Sequence, residues 1–207
     1  MISRRHLLIG SGLLCFAAGK AQAQAVSPAM VQGASQFIQW LGDQALGTLR
    51  TSAMTLAQRE TAFRGLMRTG FDIEFISRFV LGRYWQQASP EQRSEYVQLF
   101  GEYLVKTYAR RLGGYSGETF TVASAVAAGE QDILVKTRID RPSGPPLICD
   151  WRVRLIDGKY KIIDVMVESI SMAVTQRQNF SSVVQNGGMQ ALLTALRART
   201  DTVSASK

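Results

Sequence analysis

The chain has 207 residues, 46% of them hydrophobic, with 24 basic against 16 acidic side chains, enough for one domain with a sizeable core. Its single histidine, His6, and one of its two cysteines, Cys15, fall in a leader of 23 residues, so the chain that remains holds no imidazole and only Cys149. Serine and cysteine triads, His-containing zinc sites, haem ligation by His and an internal disulfide are excluded on inventory alone.

The leader is read from the first residues. Arg4 and Arg5 precede an apolar stretch over 7–18, and Ala21 and Ala23 supply an A-x-A cleavage site. The apolar stretch, broken by Gly10, Ser11 and Gly12, is shorter than the roughly 20 residues that span a bilayer. Residues 1–23 are therefore expected to be a signal peptide and the protein to work in the periplasm. Ser3-Arg4-Arg5-His6-Leu7-Leu8 fits a twin-arginine signal as well as a Sec signal that starts with two arginines. Leu14 occupies the position where a lipobox before Cys15 needs a small residue, so lipidation is not expected. Removing the leader takes Arg4, Arg5 and Lys20 and leaves 184 residues of net charge +5. The basic residues are spread along the chain, which fits anionic lipid head groups or acidic partners and not a nucleic-acid stripe.

From Pro28 to about Leu112 the apolar period is helical. Phe37, Trp40, Leu41, Ala45 and Leu49 mark one face of a first helix, in which Gly33, Gly42 and Gly47 lower intrinsic stability. Thr55 opens a second helix over 56–67 with Phe63, Leu66 and Met67 on its apolar face, and Ile73, Ile76, Phe79 and Val80 give a short third. Ser89-Pro90-Glu91 is a strong start signal, since Ser caps, Pro suits the first helical position and acid complements the dipole. The helix it opens, to Arg111 or Leu112, carries Tyr96, Phe100, Tyr103, Leu104 and Tyr108.

After Gly113-Gly114 the period changes to two. Phe120 and Val122, then Ile133, Val135, Thr137 and Ile139, then Leu147, Cys149, Trp151, Val153 and Leu155 lie on one parity of half-buried antiparallel strands. Asp157-Gly158 is a hairpin turn signal. The last strand, over 160–167, has Ile162 and Ile163 side by side and alternates less cleanly. Helical patterning returns from about Thr175, breaks at Gly187-Gly188 and resumes through Leu192, Leu193 and Leu196; a tail over 200–207 is expected to be disordered. The expected fold is α+β: one domain over 24–199, with N-terminal and C-terminal helices packed on a roughly four-stranded antiparallel sheet.

By its motifs the chain resembles the MlaC family, also called toluene-tolerance auxiliary proteins. The resemblance is carried by Phe79-Val80-Leu81-Gly82-Arg83-Tyr84-Trp85, by residues 88–93 leading into the Phe100, Tyr103, Leu104 and Tyr108 helix, by Asp150-Trp151-Arg152-Val153, by the hairpin over 158–165, by Ser171, Arg177 and Phe180, and by residues 187–196. Two positions depart from the family pattern: Ser169 stands where a glycine is usual, and Gln176 where an aromatic is usual. The resemblance implies a periplasmic, non-enzymatic carrier that takes a glycerophospholipid as cargo, without cofactor or metal, and moves it between an inner-membrane ABC transporter complex and an outer-membrane lipoprotein complex. A hopanoid-associated branch would carry different cargo. A monomer is expected for a diffusing carrier.

Two acyl chains of about 30 methylenes lose about 24 kcal/mol on exposure to water, so a carrier must offer a dry cavity. Phe79, Val80, Trp85, Tyr103, Leu104 and Tyr108 from helices, with Val122, Val135, Trp151, Val153, Val165 and Val167 from strands, supply apolar surface on both sides of a helix–sheet gap. Periodicity alone favours a solid core; only the resemblance makes this gap the expected lipid site. Arg83 and Arg177 are candidates for a lipid phosphate or an acid on a partner, against ordinary surface charge. Asp164 reads as a structural hydrogen-bond acceptor, Glu168 has no catalytic partner in view, and Cys149 reads as an inert buried thiol. Two other readings stay open: an adaptor with a filled core that docks on a membrane complex without cargo, and an enzyme using carboxylates such as Asp72, Glu74 or Asp164.

Overall fold

The computed structural model describes residues 25–50, 54–111 and 117–205. The signal peptide expected over 1–23 lies outside the described residues. Among the described residues, six helices and five strands follow in the order α1 (Pro28–Leu49), α2 (Leu56–Gly70), α3 (Ile73–Leu81), α4 (Tyr84–Gln87), α5 (Pro90–Arg111), β1 (Thr119–Ala128), β2 (Asp132–Asp140), β3 (Leu147–Ile156), β4 (Lys159–Val167), β5 (Ile170–Ser171) and α6 (Met172–Ala205). None of the described helices is long and apolar enough to cross a membrane.

Side-chain caps set most helix starts. Ser27 accepts from the Met30 amide ahead of Pro28, and Asp72 accepts from the Phe75 amide at 2.9 Å. Thr55 and Gln58 close a reciprocal capping box, as do Ser89 and Gln92. Two features differ from the sequence expectation at the other end of the chain. Helix α6 begins at Met172 because Asp164 and Ser171 already satisfy its first amides, Asp164 accepting from Ala173 and Ser171 from Val174. It then continues beyond Arg199 to Ala205, and Thr200 is buried, so the order extends past the tail boundary expected at 200. The break expected at Gly187-Gly188 is present: Gly188 adopts φ 72°, ψ −178° and joins two helical segments.

The strands form one antiparallel meander in the order β1-β2-β3-β4-β5. Asp157 and Gly158 both have positive φ, 48° and 74°, the geometry of a type I′ hairpin. The adjacent Ile162 and Ile163 are explained by a bulge: Arg152 pairs with Asp164 and Val153 with Ile162, leaving Ile163 unopposed so that both isoleucines are buried.

Two hydrophobic clusters hold the molecule. In one, Phe180 of α6 meets the stacked Tyr96 and Phe100 rings of α5 edge to face, with ring centroids 6.1 and 5.6 Å away, among Val80, Leu81, Leu192, Leu193 and Leu196. In the other, Ala34, Ile38 and Leu41 of α1 lie on Ile133, Val135, Val153 and Ile162 of the sheet. Phe71 packs against both. Trp40, expected on the apolar face of α1, is 45% exposed instead, because Ala34, Ile38 and Leu41 are the side chains that face the sheet. The bundle of α3, α5 and α6 stands beside β4, and Phe75 of α3 meets the Arg154 guanidinium at 5.0 Å on the sheet face opposite α1. Helices therefore touch both faces of the sheet.

Candidate functional site

Helix α1 must approach the sheet closely, and two glycines allow it. A Cβ on Gly33 would stand 2.2 Å from the Tyr160 hydroxyl, and one on Gly42 would stand 2.4 Å from the Phe120 ring. Both aromatic rings thus lie directly against helix backbone. Helix α2 is fixed alongside by its C-terminal end: Lys161 of β4 donates to the carbonyls of Arg68 and Thr69 at 3.0 and 2.7 Å, and the Asp72 amide donates to Ile162. The Arg64 guanidinium also grips the Glu102 carboxylate of α5.

The middle of α1 is sealed on the sheet by Ile38 and Leu41, but toward its C-terminal end the three elements diverge around an apolar cavity of about 340 Å³. Ile38 and Leu41 close its inner end, and Gly42, Ala45, Leu46 and Leu49 of α1, Phe63 and Leu66 of α2, Phe71, and Phe120, Ile139, Leu147 and Trp151 of the sheet form the rest of its wall. The Trp151 indole N–H donates to Thr137 Oγ1 at 2.9 Å, and that hydroxyl donates to the Cys149 carbonyl at 2.6 Å. The one polar atom of the ring is thereby satisfied behind the wall, leaving its carbon surface to the cavity. Glu118 and Arg141 are the charged lining residues among those described.

Trp151 is thus the expected lipid-binding residue that the structure places on the cavity wall. Val135 and Val153 are fully buried in the sealed half of the α1–sheet interface, with Val122 and Val165 packed beside them. Val167 pairs with Cys149 and Ile170 at the far end of β4. Val80 belongs to the buried helical cluster, and Phe79, Trp85, Tyr103 and Leu104 are half-buried against it. Tyr108 stands behind the wall, its ring 6.5 Å from that of Phe63. The motif-bearing helices build the bundle, and a different pair of helices builds the cavity.

Arg83 and Arg177 are likewise away from the cavity. Arg177 lies over the Phe79 ring at 5.3 Å and fills the space beside Gly82, whose φ of 58° and lack of Cβ admit the guanidinium. It lines a shallow groove between α3 and α6 with Phe79, Val174, Gln178 and Gln185. Arg83 donates to the Tyr84 hydroxyl at 2.8 Å, which lowers the Tyr84 pKa. Of the carboxylates considered as bases, Asp72 caps α3, and Asp164 accepts from the Val165 and Ala173 amides and the Ser171 hydroxyl.

The missed wall residues left two signals in the sequence: Gly42 and Ala45 are small positions in an apolar helical stripe, and Phe120, Ile139 and Leu147 share the inward parity near strand ends. Neither says that the space they leave stays open.

The MlaC protein family model matches residues 40–198, which spans α1 to α6. The chain belongs to the MlaC family. It is 23% identical over 169 residues to the intermembrane phospholipid transport system binding protein MlaC of Haemophilus influenzae, covering 78% of this chain and 79% of that one. It is 25% identical over 118 residues to the toluene tolerance protein ttg2D of Pseudomonas putida, covering 56% and 55%. The phospholipid-binding protein of Ralstonia solanacearum, solved in complex with a phospholipid, superposes with a TM-score of 0.74 at 22% identity, over 83% of this chain and 98% of that one. The α+β arrangement expected from the sequence is therefore the fold of this MlaC protein, with the cavity on its α1–α2 side.

Proposed function

We propose that this MlaC protein is a phospholipid carrier that shelters acyl chain in the cavity beneath α1 and carries its cargo across the periplasm between membrane complexes. The observation that supports this reading is the cavity itself, walled by aliphatic and aromatic side chains of α1, α2 and the sheet. A saturated chain of 16 carbons kept from water there would gain on the order of 13 kcal/mol. At about 340 Å³ the cavity lies near the low end of the usual ligand range, so a second acyl chain requires α1 and α2 to part further from the sheet. Membership of the family and the phospholipid-related names of its relatives point the same way.

The signal sequence read in residues 1–23 supports the periplasmic assignment. Arg83 and Arg177, on the α3–α6 side, suit contact with an acid on an inner-membrane ABC transporter complex or outer-membrane lipoprotein complex better than contact with a head group at the cavity. Asp72 and Asp164 are engaged as helix caps, which supports a binding role and not a catalytic one.

The test is to purify the mature protein from bacteria without detergent and to identify released lipid by native and extracted-sample mass spectrometry. About one phospholipid per chain is expected. An empty protein that takes up nothing from liposomes would overturn the carrier reading and favour an adaptor.

A further inference from the structure

Strand β2 carries the cavity wall out to solvent. Its inward positions are Ile133, Val135, Thr137 and Ile139, the first three buried and Ile139 on the cavity wall. Arg141 is the next position of that parity, one residue beyond the strand end at Asp140, and it lines the same cavity while being exposed. Ile38 and Leu41 close the inner end, so Arg141 stands at the mouth.

The loop between β2 and β3 holds the guanidinium in place. Nε of Arg141 donates to the Pro145 carbonyl at 2.9 Å, and Nη2 donates to the same oxygen. The chain turns back to make that contact at Gly144, whose φ is 83°, and Pro145 and Pro146 then fix the backbone that leads into β3. Pro142 lies against the backbone ahead of β1, where a Cβ on Gly117 would stand 3.5 Å from its ring. An uncharged acceptor leaves the positive charge in place, and the Nη1 N–H groups remain for a phosphate. At this end of the sheet Asp140 pairs with Arg138 on the outward parity, and Glu118 is already engaged in interactions of its own.

We infer that Arg141 is the phosphate anchor of the lipid site, holding the phosphate diester at the mouth while the acyl chain runs inward beneath α1 toward Leu41 and Ile38. The inference rests on the carrier reading and adds to it the residue that fixes the polarity and the class of the cargo. A lipid with a phosphate gains a charge-assisted contact with a planar fork of donors. A diacylglycerol with the same chains fills the cavity equally and gains nothing at Arg141. The mouth therefore favours phospholipids over neutral lipids through the one group that all phospholipids share. If Arg141 were only a brace for its loop, its loss would lower stability and the uptake of both kinds of lipid alike.

The experiment loads delipidated mature protein from phosphatidylglycerol vesicles that contain diacylglycerol of the same acyl chains. Each bound lipid is quantified by mass spectrometry, with melting followed in parallel. Arg141→Gln is expected to lower phosphatidylglycerol uptake about tenfold and to leave diacylglycerol uptake at or above that of wild type. Arg141→Lys keeps the charge and loses the fork, and should lie between. Arg141→Gln loading both lipids as wild type does would overturn the anchor and leave the carrier reading intact. So would an equal loss of both lipids, which assigns Arg141 to the loop. Binding of inorganic phosphate that depends on Arg141 by phosphorus NMR, with lipid uptake unchanged in the variant, would assign the site to free phosphate and also overturn the lipid anchor. Wild type that loads neither lipid would overturn both readings.

Discussion

Ser169 follows Glu168 in the two-residue turn between β4 and β5, and both have positive φ, 66° and 48°. A side chain there is strained, since Cβ crowds the backbone in the left-handed region. The glycine that the family resemblance leads one to expect here would relieve that strain. Ser169→Gly is expected to raise unfolding stability by roughly 1 kcal/mol, read as a shift of the urea midpoint with unchanged slope. Cys149 is buried, and burial, with smaller effects of Glu168 and Asp150, pushes its thiol from 9.0 up to about 11. The folded state therefore favours the protonated form; its contribution to stability is complete below about pH 9 and declines as pH rises toward 11. Alkylation by iodoacetamide at pH 8 should be at least about 100-fold slower in the folded than in the unfolded protein, as followed by intact mass.

At the scale of elements, the functional division of α1 comes from small changes along one stripe. Ile38 and Leu41 seal the helix on the sheet, whereas Gly42 and Ala45 leave room toward Leu46 and Leu49. Ala45→Trp should fill the cavity and reduce copurifying phospholipid at least about fivefold, with circular dichroism unchanged. Full lipid occupancy in that variant would move the acyl chain elsewhere. The helix starts at Thr55 and Ser89 were legible in sequence because a cap depends on residues three or four positions apart, whereas Ser27 and Asp72 emerged as caps only from the structure. The bulge at Ile163 was not, because it is defined by what β3 places opposite; its trace was only a lapse in alternation.

For the molecule as a whole, the helical bundle and the cavity-bearing α1–α2–sheet layer are distinct, joined through Phe71, the Arg64–Glu102 ion pair and the Phe75–Arg154 contact. A cargo that binds the folded state alone stabilises it by mass action. Delipidated protein is expected to melt below loaded protein, with the difference abolished by Ala45→Trp and retained by Arg177→Ala. Equal melting of loaded and empty wild type would argue that the cavity contributes nothing to binding.

The sequence by itself determined the α+β order, the starts of α1, α2 and α5, the Asp157-Gly158 hairpin and the inward strand parity, since each follows from spacing over a few residues. It also carried the family resemblance in the Phe79 to Trp85 segment and the β3–β4 hairpin. Which apolar stripe would close into core and which would line open space was decided only by tertiary structure. Val80 and Leu46 are both apolar positions on helices, yet Val80 is fully buried in the bundle while Leu46 faces the cavity. Periodicity tells which way a side chain faces; whether anything fills the space before it depends on the separation of elements distant in sequence.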